Sequence, residues 1–183
     1  MRIPLPDETI LGLLAASPQH GYQLLAHFEA KSELGRVWTL SRSQLYAVLK
    51  RLEASGAVRG QNFSSGSSPT RRVYTLTEDG RRLLDAWLQQ PQLSASMRQI
   101  RVQFISRLYI AGLLGRPAGD LIARQRQACL AQLQQVQEAL KRAGSPSEMM
   151  VLDFVQGQLE AALDWLDRCE AMLASSPHIQ EKQ

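Results

Sequence analysis

Along most of the chain apolar residues return at helical spacing, and only one region, just past residue 56, changes to the two-residue period of a strand. Ile10, Leu11, Leu13 and Leu14 crowd residues 8–16, which Ser17 and Pro18 bring to a stop. Residues 21–31 form a second helical stretch with Leu24, Leu25 and Phe28 inward. The third start is the best marked. Ser41 can cap the free amide of Gln44, the Gln44 side chain can reach back, and Leu40 can pack on Leu45 across the cap. That helix runs to about Ser55, where Gly56 supplies the left-handed residue that ends it. The segments Val58–Phe63 and Arg71–Leu76 favour strands, and the Ser- and Gly-rich residues 64–70 between them make a flexible loop, so together they predict a hairpin with a long polar tip. Thr77 caps a fourth helix, acidic in its first turn (Glu78, Asp79) and apolar at Leu83, Leu84, Trp87 and Leu88 as far as Pro91.

Beyond Pro91 the strand pattern disappears. Residues 97–114 carry a one-sided apolar series (Met97, Ile100, Phe104, Ile105, Leu108, Ala111), and residues 118–143 a second, with Ile122, Cys129 and Val136 seven apart. Ser145, Pro146 and Glu148 mark another capped start with proline at the first helical position. The last helix repeats leucine every seven residues, at Leu152, Leu159, Leu166 and Leu173, and Val155, Ala162 and Cys169 follow three residues after the first three. Such a seam closes either on the preceding helix of the same chain or on a second copy, and the short connection at Gly144 favours the former without excluding the latter. The expected architecture is mainly α. It comprises an N-terminal winged helix-turn-helix (three helices, a hairpin wing, a fourth helix) over 1–91, an antiparallel, coiled-coil-like domain of three helices that dimerises over 92–176, and a disordered tail at 177–183.

Charge sharpens this picture. The 183 residues are 44% hydrophobic and 21% charged, with a net charge of +4. The segment 41–82 alone holds eight Lys or Arg against three acids, so the positive excess is concentrated there. On the third helix the direction opposite Leu45, Val48, Leu49 and Leu52 carries Ser43, Ala47 and Lys50, with Tyr46 and Arg51 beside them and Arg42 and Gln44 on the flanks. Small residues there permit close approach to a surface, cations suit phosphates, and Arg42 and Gln44 suit base edges. The same pattern also describes an ordinary solvated helix face, and Tyr46 has the alternative of packing under the wing. Arg71 and Arg72 stand where a wing would track a phosphate backbone.

Other chemistries find no foothold. The sequence has no glycine-rich phosphate loop, zinc-binding helix motif or nucleophile elbow, so neither an enzyme nor a cofactor is expected. Cys129 and Cys169 lack CxxC spacing and fall on the two helical seams, which makes them small buried hydrophobes, and no metal site is expected with only three scattered histidines. His20, at a helix start, suits a capping or surface role. No apolar run approaches the roughly 20 residues of a membrane span, and the chain is expected to be a soluble cytoplasmic protein.

The phrases ILGLL from Ile10, HGYQLL from His20, LSRSQLYAVLKRLEASGAV from Leu40 and RRVYTLTEDGRRLL from Arg71, leading to Trp87, resemble the winged helix domain of PadR-type transcriptional regulators. The second half resembles, in length and pattern, the longer branch of that family with its separate dimerisation domain. The resemblance implies a homodimer that binds a pseudo-palindromic operator, with Arg42, Ser43, Gln44, Tyr46, Ala47, Lys50 and Arg51 on the DNA-facing helix and Arg71 and Arg72 on the wing. It places Tyr22 in a structural or phosphate-adjacent role. A dimer would join through Ile100, Phe104, Leu108, Leu152, Leu159, Leu166 and Leu173. The implied function is repression of a promoter near the protein's own gene, responsive to a small aromatic effector for which Trp38 and Trp87 are the candidate contacts, with Trp165 a further tryptophan of this kind. The competing reading, from another class, is a protein-interaction adaptor that uses a winged helix without specific DNA binding; the acid-poor outer face argues against it.

Overall fold

The computed structural model describes residues 6–63 and 71–175, the side chains of Phe63 and Arg71 excepted. The expected flexible tip at 64–70 and the tail at 177–183 lie outside the described residues. In chain order the elements are α1 (Asp7–Ala16), β1 (Gln19–His20), α2 (Gly21–Ala26), α3 (Arg42–Ala54), β2 (Val58–Phe63), β3 (Arg71–Leu76), α4 (Glu78–Leu88), α5 (Met97–Gln99), a π-helical segment (Ile100–Phe104), α6 (Ile105–Leu113), α7 (Gly119–Leu140) and α8 (Pro146–Ser175). They divide into two compact units, residues 1–90 with 101–116 and residues 91–100 with 117–183.

In the first unit the local signals act as expected. Ser41 Oγ accepts from Gln44 N at 3.3 Å while Ser41 N donates to Gln44 Oε1 at 2.9 Å, closing the capping box that starts α3. Gly56, at φ 76°, ends it. The hairpin pairs Val58 with Leu76 through Phe63 with Arg71 in antiparallel register, and Thr77 Oγ1 accepts from Gly80 N to start α4. Two features differ from expectation. The second helix stops at Ala26 instead of residue 31, because Ser32 Oγ donates to the His27 and Glu29 carbonyls and accepts from Gly35 N, folding residues 27–35 into turns. Gln19–His20 adds a third strand, in the order β1-β3-β2, a two-residue element too short for a sequence period to reveal.

The core of this unit gathers Ile10, Leu13 and Leu14 from α1, Leu24 and Phe28, all four inward residues of α3, Tyr74, and Leu84, Trp87 and Leu88 of α4. Ile110 of α6 joins them, fully buried against α1. The expected single boundary at 91/92 therefore gives way to an exchange in which residues 101–116 belong with the winged helix. A reason lies within 97–114 itself. This stretch is three helical pieces instead of one. Ile100 and Phe104 are both buried, and Gln103 and Ser106 meet the two indoles described below.

The second unit is built on α7 and α8, which pack on each other as an antiparallel hairpin. Leu121, Ile122, Cys129 and Val136 of α7 and Leu159, Ala162 and Leu166 of α8 are buried. Ser145 Oγ accepts from Glu148 N at 3.2 Å, and the Glu148 carboxylate accepts from Gly144 N, one residue ahead of the reciprocal bond of a capping box. The buried Gln125 amide donates to Ser94 O at 3.0 Å, and Arg126 is paired with Asp167 and Glu170. Burial holds the Cys129 thiol above its ordinary value; Cys169 is half-buried.

Candidate nucleic-acid interface

Helix α3 is a two-sided element. Leu45, Val48, Leu49 and Leu52 are each no more than 3% exposed, whereas Arg42, Ser43, Gln44, Tyr46, Ala47, Lys50 and Arg51 are all exposed. The outward residues form one continuous face because the buried ones recur at three- and four-residue intervals. The Gln44 amide oxygen is engaged by the cap. Arg42 and Lys50 make no hydrogen bond or ion pair among the described residues.

Arg51 departs from the expected role of a free phosphate ligand. Its Nε donates to Asp7 Oδ2 at 2.9 Å and its Nη2 bonds Asp7 Oδ1, a two-pronged pair that ties α3 to the first residue of α1. The bond to Asp7 raises the guanidinium's already high pKa. Arg72 is likewise engaged: Nη2 donates to Glu53 Oε1 at 2.6 Å, and the guanidinium lies 5.7 Å from the Tyr74 ring centre. The Tyr74 phenol is pushed up, first by burial and then by Glu53. The backbone of Arg71 pairs with Phe63 at the base of the wing, and its side chain is outside the described residues.

Tyr46 is held at the start of α2. Its ring lies on Gly21, where an added Cβ would sit 2.7 Å from Tyr46 Oη, so the tyrosine is braced by the start of α2 while remaining 45% exposed. Next to it, His20 Nδ1 is 3.0 Å from the Arg72 carbonyl, the His20 amide donates to Gln23 Oε1, and the ring stacks on the exposed Tyr22 at 5.3 Å. Asp7, Glu53 and His20 were not among the site residues expected from sequence, and their partners lie 44, 19 and 52 positions away.

The tryptophans expected to contact an effector are internally bonded. Trp38 Nε1 donates to Ser106 Oγ at 3.0 Å and its ring packs 4.8 Å from Phe28; Trp87 Nε1 donates to Gln103 Oε1 at 3.1 Å beneath the Arg107 guanidinium, 5.0 Å from the ring. Of the residues expected to join a dimer, Ile100, Phe104, Leu159 and Leu166 are already buried within one chain. Leu108 and Leu152 are half-buried, and Leu173 is 50% exposed. The exposed apolar side chains of α8 are Met149, Met150, Val151, Phe154, Met172 and Leu173. Among the described residues no three His, Cys, Asp or Glu gather to hold a metal ion, and no helix is long and apolar enough to cross a membrane.

A capped helix with an open cationic face, followed by a hairpin whose arginine is held beside it, defines the class of winged helix-turn-helix proteins. Residues 10–86 match the transcriptional regulator PadR-like family, and residues 100–174 match the virulence activator alpha C-terminal family. The chain is 31% identical over 174 residues to the negative transcriptional regulator PadR of Bacillus subtilis, covering 90% of this chain and 93% of that one. A probable transcriptional regulator of Mycobacterium tuberculosis is 29% identical over 82 residues, 45% of this chain and 42% of its own. Among solved structures, Bacillus subtilis PadR in complex with operator DNA is similar at a TM-score of 0.48 and 27% identity, covering 94% of this chain and 99% of the other. The same protein in complex with p-coumaric acid is similar at a TM-score of 0.43 and 24% identity, over 96% of this chain and all of the other. The chain belongs to the PadR-like family of transcriptional regulators. It is accordingly a regulator and not an enzyme.

Proposed function

We propose that this protein is a sequence-specific, homodimeric DNA-binding repressor that acts in the cytoplasm on a promoter near its own gene. The observation that carries the reading is the outer face of α3, seven exposed residues without an acid among them, on a chain 31% identical over nearly its whole length to a negative transcriptional regulator. In this reading α3 enters the major groove of a pseudo-palindromic operator half-site. Ser43 and Ala47 allow the approach, Arg42 and Gln44 face base edges, Tyr46 stands rigid on Gly21, and Lys50 holds phosphate. Arg71 and Arg72 of the wing meet the flanking backbone. Arg51 serves first as the tie to α1 and only secondarily as a phosphate ligand, since a phosphate must compete with Asp7 for it.

Two copies join through the helical unit. The exposed apolar residues of α8, Leu173 among them, supply its interface together with Leu152, while Ile100, Leu159 and Leu166 support it from within. The Bacillus subtilis relative has been solved with p-coumaric acid, and we extend to this protein a small aromatic effector, for which Trp38 and Trp87 are the candidate contacts although both ring NH groups are already bonded.

The test is binding of the full chain to the DNA upstream of its gene at two salt concentrations, with footprinting. A protected, two-fold-related site and a steep fall in affinity with salt are expected. Folded protein that binds with no preference over random DNA, or without salt dependence, removes the proposal.

A further inference from the structure

Glu53, in the last turn of α3, sits at a junction of three elements. Glu53 Oε1 accepts from the Gly60 amide of β2 at 2.9 Å and from Arg72 Nη2 of β3 at 2.6 Å. A side chain at position 60 would run into both groups, because an added Cβ there would meet Arg72 Nε and Glu53 Oε1 closer than any real Cβ contact. Glycine at 60 therefore leaves the space in which the pair forms. Three further restraints act on residue 72: antiparallel pairing with Asn62, the approach of His20 Nδ1 to its carbonyl, and the Tyr74 ring beneath its guanidinium. The Arg72 side chain nevertheless remains 47% exposed, with Nε and Nη1 lacking partners among the described residues.

From this we infer that Glu53 is a positioning residue for DNA binding: it aims the wing arginine Arg72 at the backbone before DNA arrives, so that the acid strengthens binding to a polyanion. The inference rests on α3 and the wing being the DNA-binding surface. Ordering a long, rotamer-rich side chain on association opposes binding, and an arginine already held beside Glu53 avoids that loss. The planar guanidinium can donate to Glu53 along one edge and to a phosphate along another, which a lysine could not do with the same geometry. Simple electrostatics predicts the opposite sign, since deleting an acid near a phosphate backbone should tighten binding.

The opposed signs make the test. Full-length wild type, Glu53→Ala, Glu53→Gln, Arg72→Ala and the double variant Glu53→Ala/Arg72→Ala are titrated against the footprinted operator and a scrambled duplex by fluorescence anisotropy across a salt series. Melting temperature and dimer mass are measured alongside. Glu53→Ala is expected to bind the operator about tenfold more weakly at two wings per dimer, although it carries more positive charge. Arg72→Ala should lose a similar amount, and the double variant should be no worse than Arg72→Ala alone. Glu53→Gln retains an acceptor for Gly60 N but loses the ion pair, so it should melt like wild type and still bind more weakly. Tighter or unchanged binding by Glu53→Ala or Glu53→Gln overturns the inference. A Glu53→Ala loss that persists in the Arg72→Ala background does so too, because it assigns Glu53 to hairpin packing alone. If Glu53→Ala fails to fold, Glu53→Gln decides by itself. Wild type that shows no preference for operator over scrambled DNA refutes the underlying reading, a result separate from any of these.

Discussion

Lys50→Ala isolates the contribution of the α3 face. Lys50 is exposed, lies opposite the buried row of its helix, and has no ion pair among the described residues. Alanine has at least equal helix propensity, so the variant should melt within about a degree of wild type. On DNA the substitution removes one phosphate contact per protomer, two per dimer, and each contact contributes about 0.9 to the slope of log affinity against log salt, so the slope should become shallower by about 1.8. Over a fourfold rise in salt, from about 50 to about 200 mM, wild type should then lose about 12-fold more affinity than the variant does. The measurement is anisotropy of a labelled operator duplex and a scrambled duplex at four or more salt concentrations. Both duplexes should weaken by the same factor, because an ammonium at the backbone reads no base. A variant whose salt plot runs parallel to that of wild type would refute the phosphate role, and a loss confined to the operator would mean that Lys50 reads a base edge instead.

Three other perturbations probe different parts of the chain. Asp7→Asn should weaken the pair that holds Arg51, lowering stability by no more than about 1 kcal/mol for so exposed a pair while steepening the salt slope of DNA binding as Arg51 becomes available; denaturant titration and the same anisotropy series check both, and a shallower slope would contradict the restraint assigned to Asp7. Gly12→Ala would drive a methyl group into Ile110 and should cost about 1–3 kcal/mol, with recovery in the Gly12→Ala/Ile110→Ala double variant; full additivity of the two losses in thermal melts would mean that α1 and α6 are not in contact in solution. Burial lowers the His27 pKa below its ordinary 6.5, against a smaller opposing effect of Glu33, and His27 Nε2 meets Gln19 Oε1 at 3.1 Å. The unfolded chain therefore binds the proton first as pH falls, so stability should decrease as pH drops through about 6.5 and below; His27→Gln should flatten that dependence between pH 7.5 and 5.5, and an unchanged slope would assign it to other groups.

The sequence by itself determined helix α3 with its outward face, the bounds of the hairpin and the start of α8. A capping box, a left-handed glycine and a run of buried leucines act between residues a few positions apart, and α3, the hairpin bounds and the start of α8 accordingly lie where their own residues put them. The heptads were equally legible as a seam, although not as to which helix would close it. That choice, and the restraint on each cation, came from tertiary structure. Arg51 and Lys50 are neighbours of like charge on one helix, and what separates their roles is Asp7, brought beside Arg51 from 44 residues away. Tyr46 reads as an aromatic without a core until Gly21 appears beneath it. Residues 97–114 read as one amphipathic helix, yet the π turn and the hydrogen bonds from Trp38 and Trp87 place residues 101–116 in the winged unit. Glu53, an unremarked acid near a helix end, becomes the partner of a wing arginine once the hairpin folds back. The division has a physical reason. Periodicity and caps are written in interactions spanning three or four residues, whereas the pairing of charges depends on distances that exist only after distant segments have packed.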